Sequence, residues 1–231
     1  MDVSVIIPTL DEADRITSLI EALRADSFDE VVVADGGSLD DTIEKAQRAG
    51  AIVVSAPRGR GKQLKAGANA ASGAYLFFLH ADSIPPIGAR QIVVESLSEP
   101  DVIAGSFCLA FDRRHPLLSL YARFSRFNHG LFTYGDQGLF VSRRVYERVG
   151  GYSDAPLFED VEFQHRLRRA GRFVKRPEPI VTSARRFLRD GVARRELRQF
   201  LVELLRLHRA HRGIERRHHA EEGHLALVSV G

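Results

Sequence analysis

Short apolar runs alternate with amphipathic stretches through the first eighty residues of the chain. Four runs rich in β-branched and aromatic residues predict strands at 3–7, 30–35, 51–55 and 75–79, and we expect the first, second and fourth to be buried. Between the first two, Ile16, Leu19 and Leu23 recur at helical spacing, and further helices are predicted from 40 and over 63–71. Strands that alternate with helices form right-handed βαβ units. We therefore predict an α/β fold with a mostly parallel, Rossmann-like sheet and helices on both of its faces.

The second half of the chain is less regular. It predicts a strand at 102–111, a short strand at 139–141, a helix at 143–149 and a helix that opens near 156 and ends at 171. An aromatic-rich helical segment is predicted over 117–131, with Tyr121, Phe124 and Phe127 on one side. We expect these aromatic side chains to pack in the core, since buried packing is the usual role of such a stripe, rather than to form a platform for an acceptor.

Polar residues follow the predicted strands where a parallel sheet binds its ligands. Asp35 and Asp82 each come just after a buried strand, and the glycine-rich loop 57–62 follows the third strand and carries Arg58 and Lys62. Open parallel sheets bind ligands beyond the carboxyl ends of their strands, so this combination favours a nucleotide whose diphosphate is neutralised by metal and base. The alternative for Asp82 is a capping role, since the segment 83–86 also has the pattern of a helix start.

Two acidic residues, Glu159 and Asp160, open the helix that ends at Gly171. Acidic side chains in a first turn complement the helix dipole, which by itself is worth about 0.3–1 kcal/mol and requires no catalysis. The sequence alone leaves both a capping and a chemical role open for this pair.

Composition limits the classes of partner and location. The formal net charge of +3 gives no reason to expect nucleic acid as a partner. Cys108 is the only cysteine, so no internal disulfide forms, and no run reaches the roughly 20 apolar residues that span a bilayer. The first apolar run lacks the features of a signal peptide. We expect a cytoplasmic protein that contacts the inner membrane surface at most peripherally.

The last part of the chain is predicted to be a basic appendage to the domain formed by residues 1–186. Residues 187–231 contain one amphipathic helical pattern, followed by a polar tail, and arginines flank the apolar side of that pattern. Two interpretations remain open for this helix. It either packs on the body with a solvated basic face, or it contacts an anionic membrane surface or a partner helix.

Six stretches, in this order and spacing, resemble the inverting family 2 glycosyltransferases of the GT-A fold over about residues 2–185. They are VSVIIPTLDEADR, VVVADGGSLDDT, PRGRGKQLKAGANAASG, FFLHADS, GDQGLFVSRRVYERVGGY and FEDVEFQHRLRRAG. A closer resemblance is to a bacterial subgroup known as radical-SAM/selenodomain-associated transferases, whose pattern includes FLHAD, YGDQ and a TSARR stretch, here residues 182–186.

The resemblance implies a role for each group of residues around a nucleotide-sugar donor. The nucleotide would be bound by residues of the strand-end loops: Pro8, Thr9, Asp11, Glu12, Asp35, Gly36, Arg58, Lys62 and Ala81. Among these, Asp35 would contact the base or ribose, and Arg58 and Lys62 would face the diphosphate. Asp136, Gln137 and Arg185 would face the sugar or the acceptor, whose identity the resemblance leaves unknown.

The resemblance also implies metal-assisted chemistry. Asp82, as the last carboxylate of the family's Asp-x-Asp motif, would hold Mn²⁺ or Mg²⁺ against the diphosphate, with His80 as a second ligand. A metal there neutralises charge on the leaving nucleoside diphosphate. Asp160 would be the general base that removes the proton of the acceptor hydroxyl, and Glu159 would assist it.

Three positions depart from the family's pattern. Asp11 stands where the family usually has Asn, and His80 stands where the first Asp of Asp-x-Asp is expected. His as a ligand suits Mn²⁺ or Zn²⁺ better than Mg²⁺, and the alternative role for His80 is a hydrogen bond to phosphate. The late His that often completes the metal site is replaced in this region by Ser183 and Ala184.

Two other function classes compete with sugar transfer. A sugar-phosphate nucleotidyltransferase usually carries a glycine-rich basic loop after the first strand, whereas this chain has PTLDEADR there. A non-catalytic nucleotide-sugar-binding protein is consistent with the missing metal ligands. The presence of both Asp82 and Asp160 favours an enzyme.

Overall fold

The computed structural model describes residues 1–153 and 159–185. The strands are β1 (Val3–Thr9), β2 (Glu30–Asp35), β3 (Ile52–Ser55), β4 (Tyr75–Phe78), β5 (Ser83–Ile84), β6 (Val102–Phe111), β7 (Leu139–Ser142) and β8 (Arg172–Thr182). The helices are α1 (Ile16–Ala25), α2 (Thr42–Arg48), α3 (Arg60–Ala70), α4 (Ala89–Ser98), α5 (Pro116–Phe124), α6 (Arg143–Arg148) and α7 (Glu159–Ala170), with 3₁₀ turns at Gly130–Phe132 and Gly135–Gln137.

The eight strands form one sheet in the order β3-β2-β1-β4-β7-β6-β8-β5. β1, β2, β3 and β4 are mutually parallel, and β6 and β8 are parallel to each other. β7 runs antiparallel to both β4 and β6, and β5 runs antiparallel to β8. The sheet is therefore mixed and mostly parallel, and the predicted α/β class is confirmed.

Helices cover both faces of this sheet because its central strands are apolar on both sides. On one face, α1 and α4 bury Ile16, Ile20 and Val93 against alternate residues of β1 and β4. On the other face, α3, α6 and α7 bury their apolar sides against the intervening residues of the same strands. Alternate side chains of a strand point to opposite faces, so a continuous apolar run such as β4 supplies both cores.

Three expectations about local structure are wrong. Residues 83–84 form the short strand β5 rather than a helix start, and α4 begins only at Ala89. The aromatic helix ends at Phe124 instead of continuing to 131. The aromatic side chains after its first turn are not core residues, since Phe124 is 40% exposed and Phe127 is 55% exposed.

Strand β8 was not predicted from the sequence. Its segment contains Pro177 and Pro179, which lack an amide hydrogen and are depleted in strand interiors. The structure accommodates them at a register shift. Phe107 of β6 pairs with Arg176, and the next residue, Cys108, pairs with Pro179, so two residues of β8 are inserted between these pairs. A bulge of this kind lets the strand resume its pairing after the prolines.

Residues Met1–Ala184 form one compact unit. The predicted appendage 187–231 and its amphipathic helix lie outside the described residues. Among the helices of the described ranges, none is long and apolar enough to cross a membrane.

Candidate active site

One edge of the sheet collects most of the residues that the sequence analysis singled out. The parallel register places Thr9, at the end of β1, beside Asp35, at the end of β2. β4 ends at Phe78, which pairs with Leu139, the first residue of β7, so the segment 79–82 and the turn Gly135–Gln137 reach the same edge. The chain thus brings distant polar segments together through strand pairing alone.

Asp35 organises the loop that follows β2. Its carboxylate is 2% exposed and accepts hydrogen bonds from the amides of Gly37 at 2.9 Å and Ser38 at 2.8 Å. The hydroxyl groups of Ser38 and Thr9 donate to its other oxygen, at 2.5 and 3.2 Å. Because these four donors come from the ends of β1 and β2, Asp35 fixes the floor of the predicted nucleotide pocket. Its contact with a base or ribose stays a prediction.

The loop after β1 is tied to the loop after β2. Asp11 donates its amide hydrogen to Ser38 Oγ at 2.9 Å, and its Oδ1 accepts from the amide of Leu39 at 2.8 Å. Its φ of 54° is in the left-handed region, which Asp and Asn adopt more readily than other non-glycine residues. This conformational similarity explains why Asp can stand where the resembled family has Asn.

The remaining predicted nucleotide contacts lie at the same two strand ends. Glu12 is buried and donates its amide hydrogen to Thr42 Oγ1 at 2.8 Å. Pro8 pairs with Ala34 in the parallel ladder, and the amide of Gly36 donates to the backbone oxygen of Thr9 at 3.0 Å. These contacts are structural, and they hold the loops in one arrangement without a ligand.

The basic loop 57–62 differs from its prediction, because helix α3 starts within it. Lys62 lies in the first turn of α3, and both Arg58 and Lys62 are exposed. Gly59 precedes the helix without a side-chain cap, so the first amides of α3 are available to an anion. Two exposed cations beside a helix N-terminus suit the charge of a diphosphate.

Arg60 is a site residue that the sequence analysis missed. Its guanidinium forms an ion pair with Glu159, 99 positions away in the chain, and its side chain is 36% exposed. Burial alone would lower the pKa of Arg60, but the negative charges of Asp160, Glu159 and Asp136 outweigh it and raise that pKa above its ordinary value. Arg60 is therefore the cation at the centre of this acidic group.

The carboxylate of Asp160 is fixed at the start of α7. It is 5% exposed, and it accepts hydrogen bonds from the amide of Gly135 at 2.7 Å and from the amide of Val161 at 2.9 Å. Each oxygen of the carboxylate holds one of these bonds, and a carboxylate oxygen accepts about two. Asp160 therefore has acceptor capacity left for a hydroxyl group.

Gly135 lies between Asp160 and His80. A Cβ atom at this position would lie 3.0 Å from Asp160 Oδ2 and 3.2 Å from His80 Nε2. Both distances are tighter than ordinary carbon contacts, so the absence of a side chain is what lets the turn pass between the two groups. The predicted base and one predicted metal ligand are thus neighbours across one backbone turn.

The two predicted metal ligands follow β4 at the ligand edge, and both are partly buried. Ala81, between them, is buried, and the backbone oxygen of Asp82 accepts the amide hydrogen of Ser183 at 3.0 Å. Asp82 lines a cavity of about 220 Å³ together with Asp112 and Thr182. Within residues 1–153 and 159–185, no three His, Cys, Asp or Glu side chains gather as a ready-made metal site.

The residues predicted to contact the sugar or the acceptor differ in how deeply they are buried. Asp136 is partly buried and lies near Arg60, whereas the side chain of Gln137 is fully buried. The Gln137 amide donates to the backbone oxygen of Phe132 at 2.8 Å and accepts from Lys175. The buried side chain of Gln137 therefore stabilises the turn Gly135–Gln137 through these hydrogen bonds. Arg185 is exposed at the end of the described residues, and its role stays a prediction.

Aromatic rings form the floor beneath Asp160. Tyr152 is 2% exposed and packs edge-to-face on Phe78 at 4.9 Å and against Phe163 at 4.4 Å. Burial raises the pKa of Tyr152 well above its ordinary value, and the nearby charge of Asp160 raises it further. The phenol therefore stays neutral, and it is enclosed by the aromatic rings of Phe78 and Phe163.

Comparisons of the sequence with protein families and with curated proteins both find glycosyltransferases. A model of the family described as Glycosyl transferase family 2 matches residues 4–146, more than half of the chain. The glucosyl-3-phosphoglycerate synthase of Mycolicibacterium paratuberculosis is 38% identical over 96 residues, which cover 36% of this chain and 29% of that protein. The chain thus matches less than a third of the length of this curated relative.

Solved structures share the fold at low sequence identity. Glucosyl-3-phosphoglycerate synthase from Mycobacterium tuberculosis, in complex with Mn²⁺, UDP and glucosyl-3-phosphoglycerate, superposes with a TM-score of 0.59 at 20% identity, over 79% of this chain and 70% of that chain. The mannosyltransferase PcManGT from Pyrobaculum calidifontis, in complex with GDP-Man and Mn²⁺, gives a TM-score of 0.62 at 23% identity, over 78% and 56% of the respective chains.

Proposed function

The chain belongs to glycosyl transferase family 2 and has the GT-A fold, and we propose that it moves a sugar from a nucleotide-sugar donor to an acceptor hydroxyl group with inversion. The observation that carries this proposal is the carboxylate of Asp160. It is buried, held by two amide groups at the ligand edge of the sheet, and still able to accept a further hydrogen bond.

In this proposal, Asp160 accepts the proton of the acceptor hydroxyl as that oxygen attacks the anomeric carbon of the donor. The bond between the anomeric carbon and the diphosphate breaks as the new glycosidic bond forms, and the nucleoside diphosphate leaves with the electron pair. A single displacement inverts the anomeric configuration. Glu159 is a poorer candidate for the base because its carboxylate is already paired with Arg60.

The donor's nucleotide is proposed to lie across the loops after β1 and β2, whose arrangement is preformed by Asp35. Its diphosphate would meet Arg58, Lys62 and the N-terminus of α3. The complexes of the structural relatives with UDP and GDP-Man support a nucleoside diphosphate of this kind. The stretches FLHAD, YGDQ and TSARR support the further proposal that the chain belongs to the radical-SAM/selenodomain-associated subgroup.

A divalent cation fits the donor groups if it shares its coordination with the diphosphate. Mg²⁺ and related ions on nucleotides use only one or two protein ligands, and phosphate oxygens and water supply the rest. Asp82 and His80 offer one oxygen and one nitrogen ligand, a set that suits Mn²⁺. When bound, the ion would neutralise charge on the leaving diphosphate. The relatives crystallised with Mn²⁺ support this assignment.

Substitution of Asp160 separates an enzyme from a binding module. Asp160→Asn keeps the size of the side chain and an oxygen acceptor but cannot take a proton. We expect binding of UDP or GDP with Mn²⁺, measured by calorimetry, to be retained, and turnover of the donor to fall by about 10²–10⁴-fold. Glu162→Gln, on the same helix, is the matched control, because Glu162 contacts Ser153 rather than the site.

Two results contradict the proposal. Full transfer activity in Asp160→Asn excludes Asp160 as the base, and a product with retained anomeric configuration by NMR excludes the single displacement. Nucleotide binding without turnover of any nucleotide-sugar by the wild-type protein favours the non-catalytic binding protein. The sugar-phosphate nucleotidyltransferase alternative is disfavoured by the family match.

A further inference from the structure

A row of large apolar side chains on and just after α5 faces solvent. Leu117, Leu120, Phe124 and Phe127 are 46%, 50%, 40% and 55% exposed. The spacing of Leu117, Leu120 and Phe124 places these three on one side of the helix, and Phe127 follows three residues after its end. Leu118, on another side, is 1% exposed and anchors α5 to the core. Single exposed apolar residues are ordinary, but a contiguous row marks an interaction surface. We call these four side chains the α5 apolar row.

Positive charge borders the α5 apolar row. Arg113, Arg114, Arg123 and Arg126 are all exposed, and together with Phe127 they line a groove of about 670 Å³ between α5, the end of β6 and the two prolines of β8. The segment 113–135 contains no Asp or Glu. Within the described ranges of the chain, none of these four guanidinium groups forms an ion pair with a carboxylate.

The α5 apolar row lies close to the candidate active site. Tyr121 of α5 packs against Phe111 at the end of β6 and stacks on Tyr134, with ring centroids 6.0 Å apart in both cases. Tyr134 directly precedes Gly135, whose amide binds Asp160. A partner on α5 would therefore be held beside the opening of the site rather than on a remote face.

We infer that the α5 apolar row and its four arginines form a docking surface for an anionic lipid bilayer. A surface helix with apolar residues on one side and arginines beside them lies in the interface of such a membrane, with its apolar side chains among the acyl chains and its cations at the headgroups. A helix of nine residues is suited to lie on the surface and far too short to cross it.

Charge favours lipid over the other candidate occupants of this surface. A second copy of the chain would bring its own four arginines to the same contact. The segment 185–219 of this chain contains eleven Arg against four Asp and Glu, so it would also meet like charge. An anionic membrane neutralises the arginines and buries the apolar row at the same time. This inference does not depend on the role proposed for Asp160.

Co-sedimentation of the full-length protein with lipid vesicles tests the inference. We expect binding to vesicles of phosphatidylcholine mixed with phosphatidylglycerol, little binding to phosphatidylcholine alone, and weaker binding at high salt because exposed charges are screened. Arg123→Gln combined with Arg126→Gln should weaken the binding roughly tenfold or more. Leu120→Glu combined with Phe127→Glu should abolish it.

Ile87 supplies the matched control, because its side chain is fully exposed but lies outside the α5 apolar row. Ile87→Glu should bind vesicles like the wild-type protein, and thermal melting should show that all variants are folded. The variant with both arginines replaced tests the surface independently of the variant with Leu120 and Phe127 replaced. Both arginines are exposed, so their replacement removes charge without removing apolar side chains.

Three outcomes overturn the inference. The first is equal binding to neutral and anionic vesicles, or no binding. The second is loss of binding in full-length Leu201→Gln with Leu205→Gln while the α5 variants bind normally, which would transfer the contact to the C-terminal segment. The third is a dimer in sedimentation velocity that Leu120→Glu dissociates, which would assign the surface to a second copy of the chain.

Discussion

Lys175 allows a pH-dependent test of the packing behind the candidate active site. Its amine donates hydrogen bonds to Gln137 and, at 3.4 Å, to the backbone oxygen of Phe107. Burial lowers the pKa of Lys175 to about 7, while the nearby Cys108 and Asp136 oppose the decrease and Arg168 adds to it. A lysine in the unfolded chain has a pKa of about 10.4.

These two pKa values fix the sign of the effect. Between about pH 7 and 8.5 the unfolded chain still holds a proton on Lys175 that the folded protein is releasing, so stability rises with pH. With a folded pKa of about 7, this one group adds roughly 1.5 kcal/mol to the free energy of unfolding across that interval. Burial raises the pKa of the Cys108 thiol, so at higher pH its ionisation in the unfolded chain opposes the trend.

Urea unfolding of three proteins at the two pH values measures the contribution. We expect Lys175→Met to gain about 1.5 kcal/mol less than the wild-type protein between pH 7 and 8.5. Lys65→Met, a change at an exposed lysine of α3, is the control and should gain as much as the wild type. The comparison uses the change with pH, so it is insensitive to the hydrogen bonds that Lys175→Met removes at every pH. Equal gains in all three proteins would refute a lowered pKa for Lys175.

Two further predictions concern charged groups at the ligand edge. Asp82→Ala should weaken Mn²⁺-dependent binding of a nucleoside diphosphate in calorimetry and leave the ligand-free melting temperature nearly unchanged; unchanged affinity with a collapse of stability would assign Asp82 a purely structural role. Arg60→Gln should lower the free energy of unfolding by about 1–3 kcal/mol, because it leaves the buried carboxylate of Glu159 without its partner. Adding Glu159→Gln should recover part of that loss, and strictly additive losses in urea unfolding would show that the pair is not coupled.

The first half of the fold was predictable because its signals are local. Each of the first four strands contains a short, mostly apolar run between loops, and the helix that follows β1 has a regular apolar side. Strand β8 carries the opposite signal, since its two prolines argue against a strand, and only the bulge opposite Phe107 and Cys108 makes the pairing feasible. Long-range pairing of this kind leaves no trace in a single sequence.

The aromatic residues of α5 show a different limit of prediction from sequence. Helical spacing predicts that Phe124 and Phe127 share a side of the helix with Tyr121, but it does not say what that side faces. In the structure, Leu118 occupies the core-facing side, and the two phenylalanines are exposed. The absence of acidic residues over 113–135 was visible in the sequence and, combined with the spacing, is the signal that could have identified a surface rather than a core.

The different contacts of Glu159 and Asp160 could not be predicted from the sequence, for a geometric reason. Adjacent residues on a helix point about 100° apart, so the two carboxylates meet different neighbours. Glu159 meets Arg60 at the start of α3, and Asp160 meets the amide of Gly135 in the turn before β7. Both partners come from segments brought to the site by strand order, at separations of 99 and 25 residues. The sequence motif contains two acidic residues, and the packing of α3 and the 3₁₀ turn against α7 gives one of them an arginine partner and the other an amide partner.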